Sequence, residues 1–302
     1  MNMLKKNISY MLIVSGILLS CNDEATIDAV PVQLQGSISQ SAEGDTRAAT
    51  TLYDTFYGGE QIDVSIYNGN TVDANKVIGK ENIVYTIAAD GKMTPPTDMQ
   101  PYFPVTANGD VTIRASYPTS NSGTTSVTVA ADQTSDDAYK QAELLWATLD
   151  ATRTTGENVL QLVFHHRMSK IIVNLTSRNG VPELPTTVKL LQFKPTATLT
   201  KSTGVVAESG EAIDIVMTTN GAAMVPPQTI AANTPIFEIV TAQGDIAQYS
   251  SPTALVFKPD YVYTYDVQVD MRKIIVTTTI TSWGTPSAEN TFSGDVIGEE
   301  WS

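Results

Sequence analysis

The chain has 302 residues, of which 42% are apolar and 17% charged, enough for packed cores and too ordinary for a disordered protein. That length predicts two domains. Its 18 Lys and Arg against 32 Asp and Glu give a net charge of −14, which argues against a nucleic-acid binder. The single Cys excludes an intrachain disulfide framework, and two adjacent histidines, His165 and His166, leave little for a metal or catalytic cluster.

Residues 1–20 read as a leader outside the fold. Lys5 and Lys6 form a positive start, and residues 8–19 form an apolar run too short to span a bilayer. The run ends Leu18-Leu19-Ser20-Cys21, which resembles a bacterial lipobox: cleavage falls before Cys21, and acylation of its thiol makes outer-membrane lipid a predicted partner. Each buried CH₂ adds roughly 0.8 kcal/mol, so a multi-chain anchor holds firmly. Asn22, Asp23 and Glu24 follow, an acidic start that resembles the export signal of surface-displayed lipoproteins in Bacteroidetes. An ordinary leader with a free Cys nearby is the plainer alternative.

Residues 30–39 form the next element. Val30, Val32, Leu34, Gly36 and Ile38 alternate with Pro31, Gln33, Gln35, Ser37 and Ser39, the pattern of a half-buried strand. Ser41-Ala42-Glu43-Gly44-Asp45-Thr46-Arg47 follows, a small and polar loop of the kind that proteases nick. An Arg-specific protease cutting between Arg47 and Ala48 would free residues 21–47 as a lipid-anchored propeptide with Val30, Val32, Leu34 and Ile38 as a detachable strand. At full burial each of these side chains contributes roughly 1.5–3 kcal/mol. Loss of such a strand from a sandwich would leave a groove with two unpaired edges, open to a replacement strand. The alternative is a plain tether in which Arg47 is incidental.

The body reads as all-β. Asn-Gly and Asp-Gly pairs at Asn68-Gly69, Asp90-Gly91, Asn108-Gly109, Asn179-Gly180 and Asn220-Gly221 mark hairpin turns. Between turns lie alternating strands such as residues 62–66, 111–115 and 171–175, and Tyr261, Tyr263, Tyr265, Val267 and Val269 share one face. Only residues 136–147 predict a helix, with Asp136 and Asp137 at its start. Two β-sandwiches in series, cut near Phe164, fit this spacing.

Several segments then occur in an order that is similar to the Bacteroidetes fimbrillins, the Mfa-like subunits of type V pili. They are Thr46-Arg47-Ala48, Gly58-Gly59-Glu60-Gln61-Ile62-Asp63-Val64, Pro101-Tyr102-Phe103-Pro104 and the run from Gly109 to Pro118. Leu144-Leu145-Trp146-Ala147, then Val163 to Ile171 with His166, and Met224-Val225-Pro226-Pro227-Gln228 continue the match. Glu60 and Glu143 stand where the family commonly has Asp. The resemblance implies two transthyretin-like β-sandwich domains in tandem, at residues 48–163 and 164–302. It also implies export to the cell outer membrane as a lipidated precursor, cleavage after Arg47 by an Arg-specific protease, and strand exchange with other fimbrial subunits in the service of adhesion. It brings no cofactor and no enzymatic activity.

A stalk subunit would also carry a strand to donate. The segment 291–297 alternates poorly, whereas Ile274, Val276, Thr278 and Ile280 make a better patterned candidate donor strand. Either that strand is donated, or the subunit sits at a tip and only accepts one. The competing function is a surface glycan-binding lipoprotein, which would need exposed aromatic rings in one cleft. Trp146, Trp283 and Trp301 are scattered, and the tyrosine face at 261–265 reads equally as core. His166 reads as a packed, hydrogen-bonded residue, and the Asp136-Asp137 and Asp90-Gly91-Lys92 carboxylates as helix-start and turn groups rather than metal ligands.

Overall fold

A computed structural model describes residues 30–39, 55–69, 81–104, 109–153, 159–178, 184–240, 244, 246–270 and 274–283, and the backbone of 291–297. The period-two runs of Val, Ile, Thr and Tyr form strands almost throughout. In chain order the first half carries β1 (Gln33–Ile38), β2 (Gln61–Asn68), β3 (Ile83–Ile87), β4 (Lys92–Thr94), β5 (Asp110–Tyr117), β6 (Thr124–Thr128), α1 (Asp136–Gln141), β7 (Leu145–Thr152) and β8 (Val159–His166). All but β6 and α1 close into a barrel in the order β1-β4-β3-β2-β5-β7-β8. Its core is built from alternate residues: Ile62, Val64 and Ile66 of β2, Ile83, Tyr85 and Ile87 of β3, and Leu162 and Phe164 of β8.

The second half carries β9 (Ser169–Ser177), β10 (Thr187–Phe193), β11 (Thr196–Thr200), β12 (Val205–Ser209), β13 (Ile213–Thr218), β14 (Ala222–Val225), β15 (Gln228–Ile230), β16 (Pro235–Val240), β17 (Ile246–Ser250), β18 (Leu255–Phe257), β19 (Tyr261–Val269), β20 (Ile274–Ser282) and β21 (Thr291–Ile297). Two sheets, β14-β9-β19-β20-β21 and β13-β10-β16-β17, supply most of its core. Tyr263, Tyr265, Val267 and Val269 all point into that core, as the alternation predicts.

Two local expectations change. The predicted helix stops at Gln141. Ser135 caps its start by accepting from the Ala138 N–H at 3.3 Å, but Leu145 and Ala147 are drawn into the barrel core as alternate residues of β7, along the whole of β5. Long-range pairing here outweighs local helix propensity. The strands β2 and β5 are also covered on both faces, not one. Their polar positions, among them Asp63 and Ser116, are buried, and Asp63 meets Lys201 of the second half.

The two cores interleave along the sequence. Phe164 is the last residue of the barrel core, and most of the second core follows from Met168 onward. Yet Val127, Val129, Tyr139, Ala142 and Leu144, all earlier in the chain, pack into the second core, and β6 pairs with β11 over five residues.

Candidate assembly site

The strand read as detachable is β1, and it is what closes the barrel. It runs parallel to β8 over six register pairs, from Gln33 opposite Val159 to Ile38 opposite Phe164, and antiparallel to β4 through Leu34 and Gln35. Val32, Leu34 and Ile38 are buried in the barrel core and Val30 packs against it half-buried. Gln33 and Ser37 face outward. The ends of the strand are tied as well. The Val32 N–H donates to the Pro101 carbonyl and the Phe103 N–H to the Val30 carbonyl, both at 2.9 Å, and the Ser39 N–H donates to the Phe164 carbonyl at 2.8 Å.

Gly36 sits where the seat is tightest. A Cβ built there would lie 2.8 Å from Ile87 Cδ1 and 3.0 Å from Phe164 Cε2, both fully buried atoms of the barrel core. From the edge, Gly91 with φ of +86° presses on the same residue. The Gly36 N–H donates to the Gly91 carbonyl at 2.8 Å, and any Cβ at Gly91 would collide with the Gly36 carbonyl. A left-handed residue without a side chain is therefore required at the Asp90-Gly91 turn. The Asp90 carboxylate has the turn role expected of it, accepting from the Lys92 N–H at 3.0 Å.

Cys21, Arg47, Ala48 and Trp301 lie outside the described residues. The candidate donor residues Ile274, Val276, Thr278 and Ile280 are in β20, which is paired along its length with β19 and on its other side with β21. Ile274 and Val276 are fully buried, while Thr278 and Ile280 are half-buried. At the edge of that sheet β21 has β20 as its one partner strand among the described residues.

The two histidines point to opposite faces of β8. His165 Nδ1 lies 3.1 Å from Asp260 Oδ2 on a partly exposed face, and His166 Nδ1 lies 3.0 Å from Glu143 Oε2 with both side chains fully buried. The His166 ring stacks on Trp283 at 3.6 Å and 10°. This is the packed, hydrogen-bonded role read for His166, and among the described residues no cluster of three His, Cys, Asp or Glu could hold a metal. An open cleft of about 420 Å³ beside it is lined by Trp146, Gln161, Val163, His165, Arg167 and Asp260, among others. Its Trp146 ring is half-buried. The Arg167 guanidinium covers one side at 4.8 Å, and Gly204 lies so close to the ring that a Cβ there would come within 2.7 Å.

Sequence reasoning missed one polar centre. Lys201, in the turn after β11, places Nζ 2.6 Å from Asp63 Oδ2, 3.1 Å from Asn82 Oδ1 and 2.5 Å from the Ser120 carbonyl. The Ser120 N–H donates to the same Asp63 oxygen. A buried acid on a strand was the available signal, since Asp63 interrupts the apolar run of β2.

The sequence pattern of a family described as fimbrillin-like matches residues 46–283. Among solved structures, the fold is similar to a candidate cell adhesion protein from Bacteroides uniformis at 19% identity, covering 85% of this chain and 99% of that one with a TM-score of 0.64. A candidate cell adhesion protein from Bacteroides ovatus is similar at 18% identity, with 87% and 99% covered and a TM-score of 0.64. The C-terminally truncated tip fimbrial protein Mfa3 from Porphyromonas gingivalis is similar at 12% identity, with 84% and 100% covered and a TM-score of 0.50. No curated protein matches the sequence.

Proposed function

The chain belongs to the fimbrillin-like family, and from that membership we propose that it is a structural subunit of a cell-surface fimbria serving adhesion, with no catalytic role. It is exported as a lipoprotein precursor acylated at Cys21 and held at the outer membrane. An Arg-specific protease cuts between Arg47 and Ala48, the segment carrying β1 departs, and a strand from another fimbrial subunit takes its place.

The observation that carries this reading is the position of β1. It precedes Arg47 in the chain, yet it closes the barrel and buries Val32, Leu34 and Ile38 in the core. A cut at Arg47 turns this strand into a separate peptide without disturbing any other strand. Its departure would uncover the edges of β8 and β4 and the core side chains beneath them. Full burial of those three side chains is worth roughly 1.5–3 kcal/mol each, which is the drive to refill the groove.

The test is brief digestion of the 21–302 chain with an Arg-specific protease, read by N-terminal sequencing and by gel electrophoresis without boiling. A new N-terminus at Ala48 together with detergent-resistant multimers is the expected result. Resistance at Arg47, or a cut that leaves a stable monomer with β1 still bound, would return the chain to the role of a tethered binding module. Arg114 is buried and serves as an internal control, whereas Arg178 is exposed and marks over-digestion.

A further inference from the structure

We propose that Lys201 and Asn82 join in an amide bond that the protein forms by itself, with Asp63 as the group that moves the protons. The bond ties the barrel to the second half of the chain, whether or not strand exchange takes place.

Three side chains meet as this chemistry requires. Lys201 Nζ lies 3.1 Å from Asn82 Oδ1, the oxygen on the carbon that the amine attacks, and 2.6 Å from Asp63 Oδ2. The Asp63 side chain is 3% exposed and that of Lys201 11%, so water is kept from competing for the amide carbon. Asp63 Oδ1 is buried with no hydrogen-bond partner, which leaves a second oxygen able to take a proton in transit.

Each partner is held by its own backbone. The Lys201 N–H donates to the Gly123 carbonyl at 3.0 Å, and its carbonyl accepts from the Trp146 indole N–H at 2.9 Å. Asn82 stands just before β3 with a φ of +53°, a left-handed conformation that asparagine tolerates, and its N–H donates to Ser65 Oγ at 3.0 Å. Asp63 lies on β2, paired on one side with β3 and on the other with β5. The fold thus brings amine, amide and acid together before any reaction, across 119 residues between Asn82 and Lys201.

The Lys201 ammonium donates to Asp63 Oδ2, Asn82 Oδ1 and the Ser120 carbonyl. Asp63 takes one of these protons, which frees the lone pair of Nζ. That lone pair attacks Asn82 Cγ, the Nζ–Cγ bond forms, and Asp63 passes its proton to Nδ2. The Cγ–Nδ2 bond then breaks, and the ammonia leaves with a second proton of Nζ as ammonium. The chain loses one ammonia and one positive charge, in a single self-reaction without turnover. Asn82 is the electrophile rather than Asp63, because among the described residues no second acid contacts Asp63 to protonate a departing oxygen. The structure holds the site before reaction, so ion pair and bond are its successive states. Freshly folded protein has the stability of the pair, and aged protein that of the bond.

The test follows the intact mass of the 21–302 chain from purification through several days of incubation, beside Lys201→Arg, Asn82→Gly and Asp63→Asn. Arginine keeps the charge without an attacking amine, and glycine suits the left-handed place of Asn82. The parent is expected to lose the mass of one ammonia and to yield a branched tryptic peptide joining Asn82 to Lys201. Its denaturation midpoint is expected to rise as this cross-link accumulates. Lys201→Arg and Asn82→Gly are expected to give no branched peptide, and Asp63→Asn to form it roughly a hundredfold more slowly. A parent that keeps its full mass would overturn the proposal, as would loss of ammonia without the branched peptide, the mark of a cyclised Asn-Gly pair. Loss of one water with Lys201 joined to Asp63 would overturn the assignment of Asn82.

Discussion

At the scale of single residues, the cores hold phenols that resist ionisation. Burial pushes the Tyr85 phenol up in the barrel, and in the second core it pushes Tyr265 well up and Tyr263 up to about 12. Tyr263 is raised even though its oxygen accepts from the Lys258 N–H and its hydroxyl donates to the Val256 carbonyl, each at 2.7 Å. In the unfolded chain these phenols ionise near pH 10. Above that pH the unfolded state loses protons that the folded state keeps, so stability is full below pH 10 and falls as pH rises toward 12. Each tyrosine contributes a slope of about 1.4 kcal/mol per pH unit in that window. Urea unfolding followed from pH 9 to 12 is expected to show this decline, with the tyrosinate absorbance of these three phenols appearing only at the unfolding transition. Early titration of all twelve tyrosines in the folded protein would contradict it.

At the scale of elements, the barrel and the second half are joined where β2 meets the turn after β11. The acid at Asp63 is 3% exposed, and its partner Lys201 is 11% exposed. Breaking a buried pair by removing one partner leaves a charge without compensation and costs about 3–5 kcal/mol. Lys201→Met is expected to destabilise by that order, and Asp63→Leu with Lys201→Met to recover most of it, in a double-mutant cycle read by denaturant unfolding. Equal losses in the single and double variants would mean the pair does not couple the halves. This junction also marks the limit of what the sequence discloses. Alternation alone reveals β1 and β19, because each has one buried face and a strict period of two. Nothing local reveals that β6 pairs with β11, or that Asp63 meets a lysine 138 residues away, since both depend on partners distant in the chain. The residues 142–147 mislead for the same reason: their helix propensity is local and their pairing with β5 is not. Gly36 is legible as an apolar-face glycine, but the tightness of its place comes from Ile87, Phe164 and Met93, brought together only by the closed barrel.

At the scale of the whole molecule, β1 completes the barrel, and in the proposed exchange a strand of a second copy would take its place. Such a contact is heterologous, and repeated from copy to copy it makes a filament rather than a closed dimer. Charge opposes the encounter. Cleavage at Arg47 leaves residues 48–302 with 27 acidic and 15 basic groups, a net charge of −12. Two such bodies repel over the Debye length, which is roughly 30 Å at 0.01 M salt and about 8 Å at 0.15 M. The seat itself is apolar, with Leu34 and Ile38 in contact with core side chains, so its final binding step gains nothing from low salt. Multimer growth after the cut is therefore expected to accelerate as salt rises from 0.01 to 0.15 M, while the multimers once formed keep their resistance to detergent. Growth rates independent of salt would show that the negative surfaces never face each other on the way in, and would place the encounter on a neutral part of the two bodies.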